Sequence, residues 1–106
     1  MRRFASLRRT ADFTRLRQRG RRVATANLTI FRGDAHPADK RPLVGFTISK
    51  AVGGAVVRNT VRRRLSACLH ELLAGHAPQR LVIIARPSAA AASYGALCAE
   101  LARALG

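Results

Sequence analysis

Four side chains close together in the chain, Arg58, Asn59, Arg62 and Arg63, have the types and spacing of a phosphate grip. On a helix turning about 100° per residue, Arg58 and Arg62 are neighbours one turn apart. All four fall beyond one edge of the apolar stripe Val57, Val61, Leu65, Cys68 and Leu72 and spread across the opposite, solvent-facing surface. A guanidinium fork donates in pairs to phosphate oxygens. The Asn59 amide can donate to phosphate or sugar and accept from a ribose hydroxyl or a base edge. Exposed helix faces usually mix charge signs, yet from Lys50 to Arg64 there are five cations and no acid. Like charges at helical spacing cost about a few tenths of a kcal/mol per pair, a cost that a bound phosphate backbone would remove. A merely solvated charge run explains the stretch less well. Lys50 supports the face from the preceding loop, Arg64 is a flank near the other edge of the stripe, and Ser66 is an uncharged gap on the basic face. The Gly53 and Gly54 pair could let backbone N–H groups approach a phosphate, but no Walker spacing follows, and a plain turn fits it better.

Catalytic groups are not assembled by spacing. Nucleases that use two metals need clustered carboxylates, and this chain has five acids in all: Asp34 and Asp39 in a turn-rich stretch, and Asp12, Glu71 and Glu100 on three separate helices. His36, His70 and His76 lack metal-ligand spacing, although His70 falls on the basic face. Cys68 and Cys98 sit in helical patterns with no second ligand nearby and are expected as reduced core residues of a cytoplasmic protein.

The whole chain repeats the message of the helix. Its 106 residues suit one domain with a single modest core, and 48% hydrophobic residues imply that it folds. Twenty Lys and Arg against five Asp and Glu give a formal +15. Even if every acid paired, fifteen cations would remain, and nucleic acid is the polyanion that best offsets such self-repulsion. No run approaches the roughly eighteen apolar residues of a membrane span, and the basic amino-terminal stretch lacks the apolar segment of a secretory signal.

The elements that position these residues can be read from periodicity. A first helix is expected from Ala11 to Arg19, with Thr10 as N-cap, Phe13 and Leu16 on one face and Gly20 past its end. Val23 to Phe31 alternates as one strand, with Leu28 and Ile30 opposite Asn27, Thr29 and Phe31. Arg32 to Pro42 is rich in turn formers. Leu43 to Ser49 is a second strand, setting Val44, Phe46 and Ile48 against Gly45, Thr47 and Ser49. The long helix runs from Ala55 to Ala74, stopped by Gly75 and Pro78. Leu81 to Ala85 is a short apolar strand, and a last helix covers Tyr94 to Leu105. The order is α-β-β-α-β-α, with room for one more short strand: a small α/β, or α+β, single domain over residues 1–106.

Lys50, Gly53, Ala55, Val56, Arg58, Asn59, Val61, Arg62 and Arg63, following the strand Gly45 to Ser49, resemble the signature of the protein subunit of bacterial ribonuclease P. The likeness extends over nearly the whole chain, through Asp12 and Phe13, Gly20, the strand ending at Phe31 and the segment Val82 to Arg86. It implies a ribosomal-protein-like fold with a left-handed βαβ crossover, where general rules favour the opposite hand. It also implies a catalytic RNA as partner, precursor tRNA as substrate and removal of the 5′ leader as the task. The Mg²⁺ for hydrolysis would be held mainly by that RNA, with no catalytic residue in the protein and no obligate protein partner. The conserved helix, here Lys50, Arg58, Asn59, Arg62 and Arg63, would lie on the RNA, and a cleft between the first helix and the sheet would hold the leader. Two positions depart from the family pattern: Ser66 replaces a further Arg, and Arg17 replaces a second aromatic after Phe13.

Independently of that likeness, Phe31 shares a polar strand face with Asn27 and Thr29, and the next strand offers Thr47 and Ser49. An aromatic on such a surface suits base stacking, worth about 1 to 3 kcal/mol per base, and packing beneath a helix suits it equally. Phe13 fits a half-core, half-cleft position. The candidate cleft is therefore Phe13, Arg17, Phe31, Thr47 and Ser49. A structural ribosomal or RNA-assembly protein would use the same basic helix without any processing role. A DNA reader is disfavoured because no second recognition helix follows a short turn.

Overall fold

A computed structural model of the chain describes residues 4–105, so the first three residues of the basic amino-terminal stretch and the last residue lie outside the description. The elements are β1 (Ala5–Ser6), α1 (Thr10–Arg19), β2 (Arg21–Ala24), β3 (Leu28–Asp34), β4 (Leu43–Thr47), α2 (Ala55–Leu72), β5 (Gln79–Ala85), a 3₁₀ turn (Pro87–Ala91) and α3 (Tyr94–Leu105). The strands form one mixed sheet in the order β1-β4-β5-β3-β2. β4 pairs parallel with both β1 and β5, while β3 runs antiparallel to both β5 and β2.

The apolar run Leu81 to Ala85 lies on the strand that the sheet buries on both faces. Leu81 and Ile83 point into the main core with α2 and α3, and Val82 points into a second cluster under α1. A strand covered on both sides needs no polar alternation. The main core gathers Leu28 and Ile30 of β3, Val44 of β4, Val61, Leu65 and Leu69 of α2, and Leu97 and Leu101 of α3. The molecule is thus three layers: α2 and α3, the sheet, and α1.

Two glycines decide how closely α1 approaches. A Cβ on Gly33 would lie 2.5 Å from Leu16 Cδ2, and one on Gly45 would collide with the Phe13 ring. Leu16 and Phe13 therefore rest directly on strand backbone. Gly20 serves close approach too: a Cβ there would meet the carbonyl oxygens of Leu16 at 2.5 Å and Arg32 at 2.9 Å.

Several expectations need correction. The single strand Val23 to Phe31 is a hairpin, β2 and β3, turning over residues 25–27. What turns it comes from far away in the chain. Glu100 of α3 accepts hydrogen bonds from the Thr25 hydroxyl (2.5 Å), the Asn27 backbone N–H (2.7 Å) and the Asn27 amide (2.6 Å). Thr10 is not the cap of α1 but its first residue; Arg9 is the N-cap, with no side-chain cap bond, and its carbonyl accepts from Asp12 N–H at 3.0 Å. β3 continues to Asp34, which shortens the loop, α2 ends at Leu72, and residues 87–91 form a 3₁₀ turn. The added strand β1 is only two residues long, too short for any periodicity to show. The buried stripe of α2 is Val61, Leu65, Cys68 and Leu69, with Leu72 half-buried against the same core, whereas Val57 at the helix start is 37% exposed. Finally, Cys68 and Cys98 are not separate thiols. α2 and α3 pack side by side, bring their Cα atoms to 5.2 Å and leave the sulfurs bonded as a disulfide.

Candidate nucleic-acid interface

α2 begins where the chain leaves β4 and makes a glycine turn. A Cβ on Gly53 would sit 2.8 Å from Val57 Cβ, so this glycine lets the first turn of the helix fold back on its own approach. Lys50 is exposed in that turn, and its carbonyl accepts from Gly53 N–H at 3.1 Å. The first turn of α2 contains no acid. The positive end of the helix dipole and the arginines that follow it therefore add, where most helices would set a carboxylate against that end.

The structure brings Arg58, Asn59, Arg62 and Arg63 onto one face. Asn59, Arg62 and Arg63 are exposed; Arg58 is half-buried, and its Nε is buried with no acceptor among the described residues. Arg64 is held away from this face by donating to the Ala92 carbonyl at 2.9 Å, as its flank position implied. Val56 stands among the cations with 78% of its surface exposed, and with Asn59, Arg62 and Arg63 it lines a shallow cup of about 300 Å³. Helical periodicity did not single Val56 out, although an apolar residue outside the buried stripe is the signal that could have done so.

The second candidate surface is the side of the sheet that carries α1. Phe13 is half-buried over Gly45, Arg17 and Ser49 are exposed, and Thr47 is half-buried. Phe31 is packed with Leu7, Leu16 and Val82 and is 9% exposed. Between the two readings of that ring, the geometry gives packing beneath α1. Beyond α1 the floor is made instead by the half-buried Thr47, Ile84 and Arg86; Thr29, paired like Thr47 across to Ile84, is buried and accepts from Arg86 Nε at 3.5 Å. Ile84 and Arg86 were missed by the sequence reading; their step of two from Val82 on one strand was the available sign.

Three of the five carboxylates, Asp12, Asp39 and Glu100, are committed elsewhere. Arg80 holds Asp12 at 3.1 Å and Asp39 at 2.9 Å. Its hydrogen-bonded guanidinium keeps the Asp39 carboxyl below the usual carboxylate range, against the effect of burial. Burial pushes the Glu100 carboxyl up, but the bonds from Thr25 and Asn27 outweigh it and leave the group below its usual range. Among the described residues no group of three or more His, Cys, Asp or Glu is placed to hold a metal ion. A hard cation such as Mg²⁺ needs free oxygen donors, and the donors present at these sites are already bonded to arginine, threonine or asparagine. They do not fit such an ion. No described helix is long and apolar enough to cross a membrane.

Comparison with known proteins agrees with this geometry. A family model described as Ribonuclease P matches residues 1–106. The chain is 44% identical over 101 residues to the ribonuclease P protein component of Acidothermus cellulolyticus, covering 94% of this chain and 84% of that one. It is 40% identical over 107 residues to the counterpart in Streptomyces griseus, covering 93% and 87%. In fold it is similar to a mutant RNase P protein of Staphylococcus aureus, with a TM-score of 0.84 at 22% identity over 94% of this chain and 84% of the other.

Proposed function

This chain belongs to the ribonuclease P protein family, the protein side of an RNA-containing endoribonuclease that processes tRNA, and we propose that its two surfaces divide the work between them. The exposed face of α2, with Arg58, Asn59, Arg62, Arg63 and Lys50, holds the catalytic RNA. The cleft beside α1, with Phe13, Arg17, Thr47 and Ser49 above the floor of Ile84 and Arg86, holds the 5′ leader of precursor tRNA. Phe31 supports that cleft from below by fixing α1.

The observation that carries this reading is the acid-free α2 face, which joins exposed guanidiniums, an amide and the open Val56 side chain at the positive end of an 18-residue helix. Such a face offers charge to phosphates and an apolar contact to a sugar or base. The Mg²⁺ of hydrolysis belongs to the RNA, and the protein contributes positioning and charge screening; the bonded state of Asp12, Asp39 and Glu100 supports this division. Its place is the cytoplasm with its RNA. The Cys68–Cys98 disulfide is one that a reducing compartment would open to two neighbouring thiols.

Reconstitution tests the assignment. Added to the cognate ribonuclease P RNA at low Mg²⁺, the purified protein is expected to raise the rate of leader cleavage. No increase at saturating protein would sink the processing role and leave a structural RNA-binding protein.

A further inference from the structure

The flank of α1 turned away from the leader cleft carries a second concentration of charge. Taking about 100° per residue, Leu16 and Phe13 face the sheet, Arg17 lies on one side of them, and Asp12, Arg15 and Arg19 lie on the other. On that other side is a cavity of about 770 Å³, open to solvent, at the end of the sheet where β3 ends and β5 begins. The β4-α2-β5 crossover sets the start of α2 at the opposite end of the sheet, so this cavity is separate from the α2 face as well as from the leader cleft.

Five arginines line the cavity from four elements: Arg15 and Arg19 from α1, Arg80 from β5 on the same side of the sheet, and the cross-strand pair Arg21 of β2 and Arg32 of β3 from the α3 side. They do not play one part. Arg80 neutralises Asp12 and Asp39. Arg32 is anchored by donating to the Ala104 carbonyl at 3.0 Å. That leaves Arg15, Arg19 and Arg21, all exposed, with no ion pair among the described residues. His36 adds a donor: its Nδ1 accepts from Ala38 N–H at 3.0 Å, which puts the proton of a neutral ring on Nε2. Asp34, exposed on the rim, is the lining acid without an arginine partner. A solvated charged face accounts for a run along one helix, but not for free cations that line one concavity from both α1 and β2, where their fields reinforce.

We propose that this cavity is a second phosphate-binding site, taking two or three consecutive phosphodiesters of RNA bound in the holoenzyme through Arg15, Arg19 and Arg21. It deepens the RNA-binding reading above and rests on it. Its volume exceeds that of a single phosphate and suits a short stretch of backbone. No phenylalanine, tyrosine or tryptophan lines it, and its arginines address phosphate, so it contacts backbone.

The test compares salt dependence. Affinities for the catalytic RNA, and for precursor tRNA by the assembled holoenzyme, are measured against salt for the wild type, for Arg15→Ala/Arg19→Ala/Arg21→Ala and for Arg58→Ala/Arg62→Ala, with circular dichroism confirming that each is folded. The triple variant is expected to lower the slope of log K against log salt by about 2 to 3 for one of the two RNAs, and the triple Arg→Lys variant is expected to restore it. An unchanged slope for both RNAs overturns this site while leaving the α2 reading intact. Loss only in the α2 variant has the same meaning, and loss only in the triple variant overturns the α2 reading. Inorganic pyrophosphate, titrated into the free protein and followed by amide NMR shifts, is expected to saturate at Gly33 and His36 in the wild type and not in the triple variant. Saturation without any change in the RNA slopes would make the site one for free phosphates and overturn the RNA assignment.

Discussion

Phe31 shows how one residue changes meaning once its neighbours are known. Its ring lies under α1 against Leu7, Leu16 and Val82, and truncating a buried phenylalanine typically costs about 3 to 5 kcal/mol. Phe31→Ala is therefore expected to lower the urea midpoint sharply. Where the variant remains folded, it is expected to weaken binding of precursor and mature tRNA by similar factors. A selective loss for precursor would return the ring to the leader cleft as a stacking partner. Glu100 has a comparable buried role. It is 3% exposed and satisfies the Thr25 hydroxyl and two donors of Asn27. Glu100→Ala leaves those donors unpaired and is expected to cost about 3 kcal/mol in equilibrium unfolding. Because the folded state holds this carboxyl below its ordinary 4.5, its contribution is full above that pH. It fades as pH falls through the lower folded value. The wild type is expected to lose stability on acidification over that window more steeply than Glu100→Ala.

Each long element serves two partners. One side of α2 is Val61, Leu65, Cys68 and Leu69, and the other is the arginine face. Packing fixes the first side, and so fixes where the second points. The Cys68–Cys98 bond adds a link between α2 and α3, closing a loop of 30 residues. By chain entropy a loop of that size is worth about 3 to 4 kcal/mol. Reduction with dithiothreitol is expected to lower the unfolding free energy by about that amount while leaving RNA affinity nearly unchanged, since neither sulfur lies on the arginine face. Urea titrations with and without reductant, beside filter binding, measure both. An equal midpoint in the two conditions would show that helix packing alone supplies the stability.

For the molecule as a whole, the formal charge of +15 acts in opposite directions on folding and on binding. Salt screens self-repulsion in the free protein, yet it weakens RNA binding by removing the gain from counterion release. Raising salt is expected to increase the melting temperature of the free protein. Over about 50 to 200 mM, the same change is expected to reduce RNA affinity by roughly a thousandfold if about six phosphates are contacted. Calorimetry and binding isotherms across one salt series test both signs. A melting temperature that falls with salt would mean that native ion pairs such as Arg80 with Asp12 and Asp39 outweigh the excess of positive charge.

The basic helix was legible because helical period and residue type are local: an acid-free run of arginines opposite an apolar stripe already states which face is wet. The apolar β5 and the leucine-spaced α3 were legible for the same reason. Local pattern could not divide Val23 to Phe31 into a hairpin, since the turn at residues 25–27 is held by Glu100, more than seventy positions away. It could not choose between stacking and packing for Phe31, because that depended on Gly33 and Gly45 admitting α1 onto the sheet. Nor could it pair Cys68 with Cys98, which meet only across the α2–α3 contact. Sequence alone determined the excess of positive charge and the helix that gathers it on one open face, because charge and periodicity are written residue by residue. Which side chains lie beside α1 on the sheet and which arginines line the cavity at its far end were decided by tertiary structure, because each depends on distances between segments remote in the chain.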